Sequence, residues 1–292
     1  MESARCKAFL ESVERGSFKA AADALGYTPS AVSQLVAALE KELSLNLLIR
    51  SKKGVTVTDE GRKLLPIVRS FLAREKEMYE LASELQGLAV GNLTIAAYPS
   101  VATTWLPELV RTFQRDFPNI EFSIMEGVRQ EIFQHLDDHV ADMAFLAYAE
   151  PMDYEWIPLA EEEMIAVLPE NHPLAGEKSF PVKRFENDNL IMTSWGQDAE
   201  ILEIFRRNKV TPHVKHTTYD TPASLAMVRM GLGVCICNEL AAQYWSEHLV
   251  KLPLDPPSKI TFGIAYTSEE HMTASAKKFL SYAVKYLTQP EN

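Results

Sequence analysis

The most constraining stretch of this chain is residues 17–42, where two short amphipathic helices are punctuated by their own start and stop signals. Ser17 can accept a hydrogen bond from an orphan N–H of the turn that follows it, which starts a helix over about 17–25. That helix presents Phe18, Ala21, Ala22 and Leu25 on one face, and the two alanines let another helix cross closely. Gly26 ends it by tolerating the left-handed conformation. Thr28 and Pro29 begin the next helix, threonine as cap and proline at the first helical position, where its missing N–H is not needed. Over 28–42, Val32, Leu35, Val36, Leu39 and Leu43 fall inward, whereas Ser30, Ser33, Gln34, Ala37 and Lys41 fall outward. An apolar stripe of Phe9, Leu10 and Val13 predicts a preceding helix near 2–14. Two helices across a tight glycine turn, the second polar near its start, form a helix-turn-helix. In that geometry the start of the second helix enters the major groove, where hydroxyls and amides meet base edges. Any three-helix core with a polar outer face would read similarly, so the next segment matters.

Leu47-Leu48-Ile49 is a short apolar run, Arg50-Ser51-Lys52-Lys53-Gly54 a basic turn, and Val55 to Thr58 alternates like a strand. This predicts a two-stranded wing with a cationic tip, in which Arg50, Lys52 and Lys53 neutralise phosphates irrespective of sequence. The alternative is a solvated surface turn. The overall charge of −11 opposes general polyanion binding, but it is unevenly spread. Residues 1–62 hold nine Lys/Arg against eight Asp/Glu, which leaves twenty against thirty-two in the rest. A small DNA-binding unit on an acidic module fits that division.

Over some fifty residues the order and spacing of Gly16-Ser17-Phe18, Ala21-Ala22, Leu25, Ser30-Ala31-Val32-Ser33, Leu39-Glu40, Leu47, Arg50, Thr58 and Gly61 are conspicuous. They resemble the winged helix-turn-helix of LysR-type transcriptional regulators. Ser44 departs from the pattern, standing where the family usually has glycine, and Leu48 stands where phenylalanine is usual. The DNA-contacting set is then expected to be Ser17, Thr28, Pro29, Ser30, Ser33, Gln34, Arg50, Lys52 and Lys53.

Between Gly61 and Gly87 there is no glycine, and Leu64, Phe71, Met78 and Leu85 recur every seven residues, with Leu81 and Leu88 as a second series. This is a heptad seam on one long helix. It is read either as a dimerisation helix or as an amphipathic helix packed on its own chain. The resemblance implies the former, an antiparallel pairing with the same helix of a second subunit. A dimer would also join two half-sites.

From Gly91 onward, strands near 93–97, 120–124 and 143–147 alternate with helices beginning at Pro99 and Gln130. After Pro158 the alternation resumes, with strands at 164–168, 190–193, 214–218, 234–237 and 260–266, helices at 200–208 and 221–230, and a closing helix at 275–287. The pattern predicts mostly parallel sheets covered on both faces, in two α/β subdomains. Leu106-Pro107, Phe117-Pro118, Glu126-Gly127, Asp142, Val167-Leu168-Pro169, His172-Pro173-Leu174 and Gly231-Leu232-Gly233 resemble the LysR-type effector domain, more loosely than the N-terminal match. The fold class expected is therefore α/β, with an N-terminal all-α winged helix-turn-helix, a long linker helix and a two-lobed periplasmic-binding-protein-like effector domain. The boundaries expected are 1–58, 59–89 and 90–292, the last divided into subdomain I (about 90–160 and 267–292) and subdomain II (about 161–266).

In such folds a small ligand sits between the lobes, at strand ends and helix N-termini whose free N–H groups hold anions. Ser100, Val101, Thr103, Gly127 and Val128 are the candidates on one wall, with Met192, Thr193, Ser194, Trp195 and Thr221 on the other. Each is equally a candidate helix cap or core residue. Glu126 and the Glu161–Glu163 run would instead favour a cation, unless that run is a solvated face.

No phosphate-cradling glycine loop is present, because Gly231-Leu232-Gly233 lacks a third glycine and precedes a strand. His135 and His139, four apart, and the pair His213 and His216 have no clear third ligand, so no metal and no cofactor is expected. Cys235 and Cys237 share a strand face and read as small apolar residues rather than a redox pair. No nucleophile–base–orienter set is visible, so an enzyme is not expected. No apolar run approaches the roughly 18 residues a membrane helix needs, and the N-terminus lacks an export signal, so the cytoplasm is the expected compartment. The partners expected are operator DNA, a small-molecule effector, a second copy of the chain as dimer or tetramer, and RNA polymerase, with no membrane. The alternative retained is a DNA-binding regulator with a vestigial cleft, controlled by protein partners.

Overall fold

A computed structural model describes residues 2–51, 54–86, 89–245 and 247–288. Lys52, Lys53 and Leu88, which the sequence assigned to the wing tip and the linker seam, lie outside the described residues.

The N-terminal unit consists of α1 (Ser3–Glu14), α2 (Phe18–Leu25), α3 (Pro29–Leu43) and an antiparallel ribbon of β1 (Leu48–Ser51) and β2 (Gly54–Val57). Local chemistry sets its turns. The Ser17 hydroxyl accepts from the Lys19 N–H at 3.2 Å, Gly26 adopts φ 70°, and the Thr28 hydroxyl accepts from the Ala31 N–H at 3.2 Å. Phe9, Ala21, Ala22, Val32, Val36, Leu39, Leu47 and Val55 make one core. The ribbon docks where the Val55 N–H donates to the Gly16 carbonyl at 2.8 Å. Gly54 sits so close that an added Cβ would lie 2.4 Å from that same oxygen, at a φ of +129° that only glycine adopts easily.

Helix α4 (Asp59–Leu85) follows, capped by Thr58, whose hydroxyl accepts from the Gly61 N–H at 3.0 Å. Its 27 residues span about 40 Å at the α-helical rise. Its apolar seam divides between two surroundings. Leu64 and Phe71 pack, half-buried, against the N-terminal core beside buried Leu65 and Val68, so those two serve the chain's own core. Ile67, Met78, Leu81 and Leu85 stay exposed, at 63%, 59%, 51% and 81%. The opposite face is fastened to the chain's own C-terminal module. Arg69 reaches both Glu14 (3.2 Å) and Asp138 (2.8 Å), Lys76 reaches Asp142 (3.2 Å), and buried Glu80 accepts the Ser275 hydroxyl (2.6 Å).

The C-terminal module continues with β3 (Gly91–Ala97), α5 (Pro99–Asp116), β4 (Ile120–Glu126), α6 (Arg129–Asp137), β5 (Met143–Ala147), β6 (Glu155–Pro169), β7 (Phe180–Pro181), β8 (Leu190–Met192), α7 (Ala199–Asn208), β9 (Val214–Thr217), α8 (Thr221–Arg229), β10 (Val234–Asn238), β11 (Leu249–Asp255), β12 (Lys259–Tyr266) and α9 (Ala274–Thr288). The strand order is β4-β3-β5-β12-β6-β10-β8-β9, with β11 also beside β6 and β7 beside β11. The β4-β3-β5 and β10-β8-β9 groups are parallel, as the alternation of strands and helices requires. The centre is not, since β12 pairs antiparallel with β5 and β6, and β6 antiparallel with β10 and β11. The sheet is thus mixed rather than mostly parallel.

Strand β6 is the hinge of the architecture, because its first half pairs with β12 and its second half with β10 and β11. Pro158 sits in this long strand beside a register shift, where its missing N–H disturbs no regular ladder. Gly263 opposite must be glycine, since a Cβ would meet the Ile157 carbonyl oxygen at 2.3 Å. Because β12 runs beside β5, it belongs to the first lobe. The chain therefore returns from lobe II near residues 256–258, ahead of the expected 266. Lobe I closes on Phe113, Phe145, Phe262 and Phe279, and lobe II on Phe180, Phe185, Leu190 and Phe205.

Candidate nucleic-acid interface and ligand cleft

On α3 the structure exposes Thr28, Pro29, Ser30 and Gln34 at or near the helix start, with Ser33 half-buried among them. Thr28 and Ser30 hydroxyls lie 3.1 Å apart. Ser17 and Thr28 are occupied as caps, so their side chains shape the surface they sit on. Arg50, expected at phosphate, is also engaged within the chain. Its guanidinium donates to Glu40 at 3.0 Å and covers the Phe18 ring at 5.4 Å, while the side chain stays 46% exposed. The other Glu40 oxygen accepts from the Leu47 and Leu48 N–H groups at 2.8 and 3.1 Å. One carboxylate at the end of α3 thereby holds the root of the wing, a role the sequence reading did not find.

The second site is a cleft of about 230 Å³ between the two lobes of the C-terminal module. Lobe I contributes Ser100 and Thr103 from the first turns of α5, and Gly127 and Val128 from the loop before α6. Lobe II contributes Thr193 and Ser194 after β8, and Thr221 at the start of α8. The lobes touch directly across it. The Tyr98 hydroxyl donates to Glu200 at 2.9 Å, Arg129 stands 3.5 Å from the same oxygen, and the Tyr219 hydroxyl donates to Glu131 at 2.5 Å.

Residues 4–62 match the family described as "Bacterial regulatory helix-turn-helix protein, lysR family", and residues 86–288 match "LysR substrate binding domain". The chain belongs to the LysR family. Over 287 residues it is 30% identical to YvbU, an uncharacterised HTH-type transcriptional regulator of Bacillus subtilis, covering 97% of this chain and 98% of the relative. It is 26% identical to CmpR, an HTH-type transcriptional activator of Synechocystis, over 94% of this chain and 92% of that one. The structure of a full-length OxyR variant from Pseudomonas aeruginosa superposes with a TM-score of 0.76 at 19% identity, over 100% of this chain and 99% of the other, which extends the likeness of fold to the whole molecule. The protein is thus a LysR-type DNA-binding transcriptional regulator with an effector-binding domain, of a family of regulators and not of enzymes. Among the described residues no helix is long and apolar enough to cross a membrane.

Three residues expected in the cleft of this LysR regulator lie elsewhere. Val101, one position beyond Ser100 on α5, turns into the lobe I core at 0% exposure. Met192, on the inward face of β8, is buried in the lobe II core. Trp195 adopts φ 54° in a one-turn bend that throws its ring outward to 62% exposure, beside Tyr219. The sequence reading missed Tyr98, Asp198, Glu200, Tyr219, Asp220 and Tyr244, all of which line the cleft. A Thr or Asp before a helix is a cap signal, and Asp198 and Asp220 do cap α7 and α8 through the Ile201 and Ala223 N–H groups. That they also face a cavity follows only from the tertiary fold.

Burial, and next the adjacent Asp198 charge and its hydrogen bond, push the Glu200 carboxyl up to about 8, against the pull of Arg129. Burial and the Glu200 and Asp198 charges likewise hold the Tyr98 phenol well above its ordinary value. Elsewhere in the domain, Cys235 and Cys237 are buried, and the hydrogen bond between them together with burial raises the Cys235 thiol well above its ordinary range. That disfavours the thiolate a redox sensor would need. Among the described residues no group of three or more His, Cys, Asp or Glu is placed to hold a metal ion.

Proposed function

We propose that a small molecule held between the two lobes controls how this regulator engages operator DNA. The observation that carries the reading is the cleft itself, which is lined from both lobes and bridged by Tyr98–Glu200 and Tyr219–Glu131. A ligand that replaces or reinforces those bonds changes the free energy of lobe closure by its own differential contacts. Linker helix α4 touches both the DNA-binding core and the C-terminal module, so a change in the lobes is felt at the reading helix. An open volume with polar groups from both sides speaks against a vestigial cleft.

At the DNA, Ser30, Ser33 and Gln34 read base edges from the start of α3, while Ser17, Thr28 and Pro29 set the approach of the helix to the backbone. Arg50 offers its remaining donors to phosphate, and Lys52 and Lys53, which follow it in the sequence, take the same role. The exposed Ile67, Met78, Leu81 and Leu85 stripe pairs with the same stripe of a second chain, giving at least a dimer that spans two half-sites. Bound beside a promoter, that assembly acts on RNA polymerase. The protein works in the cytoplasm, where operator DNA is found.

The test is a gel-shift and footprint measurement on a DNA site selected by the full chain, made with and without a molecule shown by calorimetry to bind the cleft. The expected outcome is a changed affinity or a changed footprint length. An unchanged affinity and footprint under a proven ligand contradict the reading.

A further inference from the structure

The charge of the cleft selects among ligand classes. Its ionisable lining residues other than tyrosine and cysteine are Glu126, Asp198, Glu200 and Asp220, all acidic, with neither lysine nor arginine among them. Arg129, which is not part of the lining, stands 3.5 Å from a Glu200 oxygen and donates its guanidinium to the Ala147 and Ala149 carbonyls while lying over the Phe133 ring. Helix N-termini around such a cleft ordinarily offer free N–H groups to an anion. At three of them one N–H is already engaged by an acidic side chain of the chain itself: Ile201 N–H of α7 by Asp198, Ala223 N–H of α8 by Asp220, and Val128 N–H at the start of α6 by Glu131. A bound carboxylate would have to sit among these groups and would be repelled by them. Tyr98, Tyr219 and Tyr244 add aromatic surface, whose π-faces attract an organic cation.

We infer that the ligand of this cleft is a small organic cation, an ammonium group on a flat apolar body, with the charge held by Asp198, Glu200 and Glu126 and the body against the tyrosines. This rests on the proposed effector role of the cleft and names its chemical class. The Asp198–Glu200 pair supplies the attraction in a ready form. Glu200 is buried and Asp198 half-buried beside it, and burial together with the neighbouring Asp198 charge makes the Glu200 carboxyl hold its proton. An entering ammonium replaces that proton with a charge both carboxylates can face.

The experiment is calorimetric titration of the full-length protein with three probes of one skeleton: 2-phenylethylammonium, 3-phenylpropanoate and neutral 2-phenylethanol. It is repeated on D198N, which keeps an acceptor for the α7 cap, and on E126Q at an exposed position. The expected result is saturable binding of the ammonium alone, weakened about tenfold or more in D198N and measurably in E126Q. Binding of the carboxylate equal to or tighter than the ammonium overturns the inference. So does an ammonium affinity unchanged in both variants, or the absence of binding by all three probes. An ammonium that binds as expected but leaves DNA affinity and footprint unchanged upholds the charge class and contradicts the regulatory reading, so the two fail separately.

Discussion

Tyr98, at the end of the first strand of lobe I, donates its hydroxyl to Glu200, in the first turn of α7 in lobe II, across 2.9 Å. The two residues are 102 positions apart in sequence. Their bond joins the two lobes through one buried carboxyl.

Glu200 binds its proton more tightly folded, near 8, than an ordinary carboxyl, near 4.5. Between those values the folded state therefore holds more protons than the unfolded chain, and stability falls as pH rises. The contribution is fully present below about 4.5 and is lost as pH passes through about 8. E200Q, which resembles the protonated form, is expected to flatten this fall. Thermal midpoints of both proteins between pH 5 and 9 check it, and an identical slope for the two would contradict it.

Glu40 holds two backbone N–H groups of the wing root and Arg50. In E40A those buried donors lose their partner, at a cost of about 2 kcal/mol. Denaturant unfolding of the isolated variant measures the loss. Gel-shift assays are expected to show weaker binding to every DNA sequence, because the wing is released while α3 keeps its reading face.

Ser44 ends α3 at φ 55°, the left-handed region in which an L side chain is strained. Glycine relieves that strain, so S44G is expected to stabilise the N-terminal unit by about 0.5 kcal/mol. A raised denaturant midpoint with unaltered base preference is the expected result, and a lowered midpoint would count against it.

Leu81 and Leu85 face solvent on α4, away from the side held by Glu80 and Ser275. L81D together with L85D is expected to leave each chain folded but monomeric. Sedimentation velocity reads the mass, with circular dichroism to confirm the fold. A dimer that survives both substitutions places the interface elsewhere.

The N-terminal unit was legible because its signals are local. Ser17, Gly26 and Thr28-Pro29 fix the helix limits within a few residues of themselves, and the structure places all three where those signals indicate. The antiparallel centre of the large sheet was not legible, because strand alternation gives no information on which strands meet. The pairing of β12 with β5 joins segments more than a hundred residues apart. The same limit applies to the cleft. Ser100 was found through a helix start and Thr193 through a strand end, but Val101 and Met192 are adjacent in sequence and turn into the cores instead. Tyr98, Glu200 and Tyr219 carry no local mark of a site and meet only through the two-lobed fold.

Under the proposed function, the start of α3 reads sequence while the assembly supplies affinity. Selection from a random duplex DNA pool by the full-length protein, and by its S33A/Q34A variant, tests it most directly. The expected result is a motif with two related half-sites for the native chain. The variant should lose base preference within each half-site yet retain binding with a similar salt dependence. The same motif enriched by both proteins, or no motif with the native chain, would show that α3 does not read the sequence.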